Sequence, residues 1–159
     1  MSKQANAKND PLIVKNRRAT FDYDIEERYE AGIVLTGSEV KSMRDGRVDV
    51  VDAYVQVERG EAWLRQLFVA PYNMAIAYPH ETRRSRKLLL HGREIAALDE
   101  ALSRGGYTVV PTRLYFKDGR VKVELGVGKG KKNYDKRHDI ARKDADREAR
   151  TAMREANRR

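Results

Sequence analysis

The stretch TVVPTRLYF (Thr108–Phe116), then Lys117-Asp118-Gly119, then RVKVELGV (Arg120–Val127) constrains this chain more than any other. In its second half Val121, Val123, Leu125 and Val127 alternate with Arg120, Lys122 and Glu124. A side-chain period of two residues turns one face to a core and the other to water, which is the signature of a half-buried strand. Asp-Gly between two such runs supplies the positive φ angles of a tight hairpin turn. Pro111 has no N–H to donate, so it predicts an edge strand or a bulge in the first strand.

Similar alternation recurs upstream. Tyr23, Ile25, Tyr29, Ala31, Ile33 and Leu35 mark a long strand, and Gly32 predicts a bend or bulge in it. Thr36 and Glu39 have the spacing of a capping box. They predict a short helix through TGSEVKSMRDG that ends at Gly46 and turns Val40 and Met43 inward. Val51, Ala53, Val55 and Val57, a turn at Arg59-Gly60 and the run EAWLRQLFV form a second hairpin. Pro71 to Glu81 reads as a loop. Thr82 is placed to cap a helix through RRSRKLLLHG, and a further helix from about Arg93 carries Ile95, Leu98 and Leu102 until Gly105-Gly106 stops it.

This gives five strands in chain order, with helices after the first and third. Strands so few and short cannot build a wide sheet covered on both faces; wrapping them around one core removes exposed edges. The expectation is a mainly β protein: a small antiparallel OB-like barrel spanning 16–127 with about three flanking helices. A flexible N-terminal arm, 1–15, precedes it and a basic tail, 128–159, follows.

Charge is divided the same way. The chain carries a net +9: residues 1–20 contribute +4, 21–125 contribute −1 and 126–159 contribute +6. Basic ends on a neutral body seek a polyanion, because each neutralised phosphate releases condensed counterions. Neither end has the apolar face a membrane surface would need, so nucleic acid is the expected partner and no membrane is. From Asp135 the tail contains neither Gly nor Pro, and Asp139–Lys143, Asp146–Arg150 and Glu155–Arg159 stand at i,i+4. Its apolar stripe is alanine, which buries little. The tail is expected to be disordered when free and helical against a polyanion; the alternative is a helix resting on the barrel.

The chain has no cysteine, no N-terminal apolar region and no apolar run long enough to cross a membrane, and it reads as soluble and cytoplasmic. His80, His91 and His138 have no His or Cys at ligand spacing, so neither metal nor cofactor is expected. No nucleophile elbow or phosphate-loop motif occurs, and adjacent acids such as Glu26-Glu27 point to opposite faces of a strand. GVGKGKK reads as a hinge between barrel and tail. The positive signals are for binding: NRRA (Asn16–Ala19) beside the first strand and RRSRK (Arg83–Lys87) ahead of Leu88-Leu89-Leu90, one of which should face outward.

NRRA, YEAGIVLTGSEVKSMRDG, DAYV, RKLLLHGREI, RLYFKDG and GKGKKNYDKR, in this order and spacing, resemble the SmpB family of transfer-messenger RNA (SsrA)-binding proteins. The resemblance covers Asn16 to Arg137 and implies an OB-type barrel that is not an enzyme. It implies an adaptor that binds the tRNA-like domain of transfer-messenger RNA and delivers it to stalled ribosomes for trans-translation. Its tail would enter the empty messenger channel and meet the decoding centre. Elongation factor Tu and alanyl-tRNA synthetase would be reached through the RNA.

By position, the resemblance assigns RNA contact to Asn16, Glu30 and Leu89, with Arg84, Arg86 and Lys87 meeting phosphates nearby; Arg17 and Arg18 of the basic arm are expected RNA contacts through their charge. The resemblance assigns ribosome contact to Lys129, Gly130, Lys131, Lys132, Tyr134, Asp135, Lys136 and Arg137. Gly92 departs from the family, which more often has Lys or Arg there. The rival expectation is a general basic ribosomal or RNA-chaperone protein with the same kind of barrel. An RNA-modifying or RNA-cleaving enzyme is a further alternative, but no acid/base set supports it.

Overall fold

In a computed structural model, residues 11–72, 81–131 and 133–157 are described. In chain order the elements are β1 (Leu12–Lys15), α1 (Arg17–Asp22), β2 (Tyr23–Ile33), α2 (Gly37–Arg44), β3 (Val48–Asp49), β4 (Tyr54–Glu58) and β5 (Glu61–Arg65). They continue with β6 (Phe68–Val69), β7 (Arg86–Leu89), α3 (Gly92–Ser103), β8 (Tyr107–Lys117), β9 (Arg120–Gly130) and α4 (Asn133–Asn157).

Seven strands form one antiparallel sheet in the order β1-β8-β9-β2-β7-β5-β4, and β3 and β6 pair separately. The sheet curls until β4 packs against β8, but no ladder joins the two, so the barrel stays open along that seam. Its inner face holds the core: Leu64, Leu88, Val109, Leu114, Val123 and Leu125 are at most 1% exposed. Each such side chain contributes on the order of 2 kcal/mol through removal of apolar surface from water. Helix α3 closes one side, burying Leu98 and Ala101.

The expected hairpins are present. Asp118 and Gly119 take φ of 52° and 75° between β8 and β9, and Arg59 and Gly60 take 52° and 75° between β4 and β5. Positive φ at both central positions matches the right-handed twist of the flanking strands. The capping box also forms: Thr36 Oγ1 accepts from the Glu39 N–H, and Glu39 Oε1 accepts from the Thr36 N–H. Met43 is buried as expected, while Val40 is only half-buried and Glu39 and Ser42 turn inward beside Met43.

Several expectations need correction. Leu12–Lys15, placed in the arm, is a strand laddered onto β8. The helix expected from Thr82 is strand β7, because Arg86 and Leu88 alternate inward while Lys87 and Leu89 alternate outward. EAWLRQLFV breaks at Gln66, whose φ is 62°, into β5 and β6. The irregularity of β2 lies between Ile25 and Glu27; at Gly32 the strand instead pairs with both β9 and β7. For Pro111 the expected bulge is present, before Arg113, and only the edge-strand alternative fails, since β8 has partners on both sides.

Nor is GVGKG a hinge. β9 runs on to Gly130, and Gly128 is packed so tightly that a Cβ there would stand 2.2 Å from the Asp24 carbonyl oxygen. Past β9, the Lys131 N–H and ammonium donate to Asp22 O and Thr20 O at 2.7 and 2.9 Å, which ties the exit of the sheet to α1. Most of the expected Pro71–Glu81 loop lies outside the described residues. Helix α4 then runs for 25 residues, and its described side chains are exposed. It approaches the body at α1, where Lys143 Nζ lies 5.9 Å from the Phe21 ring. Among the described residues no helix is long and apolar enough to cross a membrane.

Candidate nucleic-acid interface

The bulge at Thr112 sets which face of β8 is wet. Beyond it Arg113, Tyr115 and Lys117 share the outer face of the sheet with Lys122 and Glu124 of β9 and with Arg28 and Glu30 of β2. Glu30 and Glu124 are direct cross-strand partners, so two like charges meet. Separate donors hold them. Glu124 Oε2 accepts from Thr112 Oγ1 at 2.7 Å and Arg113 Nε at 3.1 Å, with Arg28 at 3.5 Å. Glu30 accepts from Tyr115 at 2.5 Å and from the Lys117 ammonium at 3.2 Å.

Partial burial pushes the Glu30 carboxyl up. Hydrogen bonds from Tyr115 and Lys117 and the charges of Lys117 and Lys122 outweigh this, so it lies below the usual carboxylate range. Burial and the Glu30 carboxylate together push the Tyr115 phenol well above its ordinary value, so it stays a donor.

Next to Glu30 opens a cleft of about 500 Å³, lined by Gly32, Lys87, Leu89, His91, Glu94 and Lys122 among others. Leu89 is 54% exposed, unusual for a leucine within a sheet. It lies over Gly32, where a Cβ would approach it to 3.2 Å. The absent side chain at Gly32 leaves Leu89 its place in the cleft that Glu30 also lines. Lys87 pairs with Glu61 at 3.2 Å and remains half-exposed. The cleft therefore offers an ionised acceptor, an apolar shelf and cations, which suits a ribonucleotide with donors, a base face and phosphate.

The structure brings Glu30, Lys87 and Leu89 together. Arg17 and Arg18 lie on exposed α1, with Arg18 Nε donating to Asp22 at 3.3 Å. Asn16 does not face outward. It is 4% exposed; its Oδ1 caps α1 at the Ala19 N–H, and its amide donates to Pro111 O at 2.9 Å and Val50 O at 3.4 Å.

Arg86 is likewise fully buried, ion-paired with the equally buried Glu39, and it donates to Leu67 O at 2.7 Å. Its expected phosphate contact is replaced by a structural one. Arg84 joins the same knot through Glu39 and donates to Val34 O at 3.2 Å. Burial pushes the Glu39 carboxyl up, but the bonds from Arg84, the Thr36 N–H and Arg86 override it and keep it low.

Of the tail residues, Lys129 and Gly130 belong to β9, and Lys129 Nζ lies 5.1 Å from the Tyr107 ring. Lys131 anchors to α1. Lys132 lies outside the described residues. Tyr134, Asp135, Lys136 and Arg137 fall in the first turns of α4, with side chains outside the described set. Gly92 opens α3 with open space where a side chain would stand, so either residue type fits there. Sequence reading missed Tyr115, Lys117, Lys122 and His91. The i,i+2 spacing of Arg113, Tyr115 and Lys117 was the available signal, hidden by the unplaced bulge.

Fold and cleft define a class: a small, basic, OB-like β protein with a polar outer face and an appended helix. The family model described as SmpB protein matches residues 13–155. The chain is 50% identical over 152 residues to the SsrA-binding protein of Thermobifida fusca, covering 96% of this chain and 95% of the relative. It is 52% identical over 144 residues to the SsrA-binding protein of Geobacillus thermodenitrificans, covering 91% and 93%. A solved chain described by the words "tmRNA-SmpB: a journey to the center of the bacterial ribosome" superposes with a TM-score of 0.66 at 45% identity, covering 77% of this chain and 86% of that one. This chain belongs to the SmpB family.

Proposed function

We propose that this protein is an RNA-binding adaptor, acting without catalysis, that holds the tRNA-like domain of transfer-messenger RNA and delivers it to stalled ribosomes for trans-translation. The observation that carries this reading is the Glu30–Leu89 cleft, a solvent-facing acceptor and apolar shelf among cations, in a chain half identical to SsrA-binding proteins. Arg17, Arg18 and Lys87 supply phosphate contacts at its margins.

Helix α4 and the cations before it enter the empty messenger channel, with Lys131, Lys132, Tyr134, Asp135, Lys136 and Arg137 toward ribosomal RNA. Its exposed, alanine-striped surface gains little from the body. Its helix is therefore one end of an equilibrium that is largely frayed in free protein and completed on the ribosome. The protein works in the cytoplasm, and elongation factor Tu and alanyl-tRNA synthetase meet it through the shared RNA.

A gel-shift competition tests the reading. Ordinary tRNA should compete poorly with the tRNA-like domain; equal competition would establish a general RNA binder instead. Truncation after Lys131 spares β9, which ends at Gly130, and removes α4. It should leave RNA binding intact and abolish tagging on stalled ribosomes. Tagging by the truncated chain would refute the role given to the tail.

A further inference from the structure

Glu30 is not held by its own strand. Its carboxylate crosses β9 to reach β8, where the Tyr115 hydroxyl donates to Oε2 at 2.5 Å and Lys117 Nζ stands 3.2 Å from both oxygens. Tyr115 is 2% exposed although its side chain lies on the outer face. The Arg113 guanidinium covers its ring at 4.7 Å and is itself fixed by Glu124 at 3.1 Å. A relay of fixed groups therefore runs from Glu124 through Arg113 and Tyr115 to Glu30. Of the two oxygens, Oε1 accepts only from Lys117 among the described residues, so it is the one with room for a further donor.

We infer that Tyr115 is a positioning residue for RNA recognition: buried under Arg113, it fixes the Glu30 carboxylate so that Oε1 faces the cleft toward a hydroxyl or amine donor of the bound ribonucleotide. This rests on the function proposed above. An exposed glutamate has several rotamers, and a ligand that must select one loses affinity in proportion to the time spent in the others. The phenol removes that loss before RNA arrives, and its hydrogen bond favours the ionised carboxylate. Tyr115 need not touch the RNA.

A double-mutant cycle on affinity for the tRNA-like domain tests this, using full-length Glu30→Gln, Tyr115→Phe and the double variant. Wild-type binding, lost on Glu30→Gln, tests the underlying function. Tyr115→Phe deletes one oxygen and keeps the packed ring; it should weaken binding about tenfold, as loss of a hydrogen bond to a charged group does. In the Glu30→Gln background it should then change nothing further. Carbon NMR of the Glu30 carboxyl in free protein gives a second readout. Its titration should move up toward the ordinary range in Tyr115→Phe, since a donor to the ionised form has gone. Lys117, Lys122, Glu124, Lys87, Glu61, Glu94 and His91 also border Glu30 or its cleft and are unchanged between the two proteins. Additive losses, or an unmoved Glu30 titration, overturn the inference while leaving the function standing. Absence of specific binding by wild type overturns both.

Discussion

Glu30 and Glu39 sit nine residues apart, and each binds cations from distant strands, yet the regions they organise do opposite things. Glu39 and Arg86 are both fully buried, and the pair knots the start of α2 to β7 and the backbone at Leu67. The Glu30 side chain keeps 34% of its surface in water, and its partners aim it at an open cleft. Chemistry alone does not separate a strut from the recognition group proposed at Glu30; burial does. A paired ion with no exposed surface can serve only the fold, and removing its partner leaves a charge in a dry place.

Substitutions can break this comparison. The largest effect is expected from Glu39→Ala, which strands Arg86 and should cost about 3–5 kcal/mol in urea unfolding. RNA affinity per folded molecule should be unaltered. A Glu39→Ala protein as stable as wild type would dissolve the distinction. Next comes Gly128→Ala, whose Cβ meets backbone rather than a yielding side chain. A loss of about 3 kcal/mol is expected, again with little specific effect on the cleft.

Glu30→Gln should do the reverse: stability within about 0.5 kcal/mol of wild type, but RNA affinity down tenfold or more by filter binding. Smaller still is Gly32→Ala. Leu89 is exposed enough to swing aside, so melting should barely move while RNA binding falls a fewfold.

Acid sharpens the contrast. The folded-state pKa of Glu39 is lowered, so its contribution is complete above the unfolded value, roughly 4.3, and is lost as pH falls through the folded value. Below about pH 4 the stability of wild type should therefore fall more steeply than that of Glu39→Ala, as followed by urea midpoints.

The hairpins and the capping box were legible because each is a local code: Asp118-Gly119, Arg59-Gly60 and Thr36 with Glu39 specify their geometry within four residues. Strand β7 was not, because one of its inward positions is an arginine. Arg86 is admissible in a core only through Glu39, 47 positions earlier, and a single sequence does not announce that pairing. The same blindness let Arg86 and Asn16 stand as expected RNA contacts although both are buried. For the site, the charge run around Lys87 and an outward-facing leucine were legible in the residues, while Glu30 and the choice of Leu89 among the three leucines came through family resemblance. Tyr115 and Lys117 join Glu30 across 85 and 87 positions and became visible only with the strand register.

Helix α4 carries one more consequence. At 1.5 Å per residue its 25 residues extend about 37 Å. A rod of that kind is a ruler with a phase. One residue inserted after Ala141 would lengthen it by only about 1.5 Å but rotate every side chain beyond by about 100°, swinging Arg142, Arg147 and Arg154 to a different azimuth. Indels there should be far less tolerated than point changes, and a full-turn insertion less harmful than a single residue.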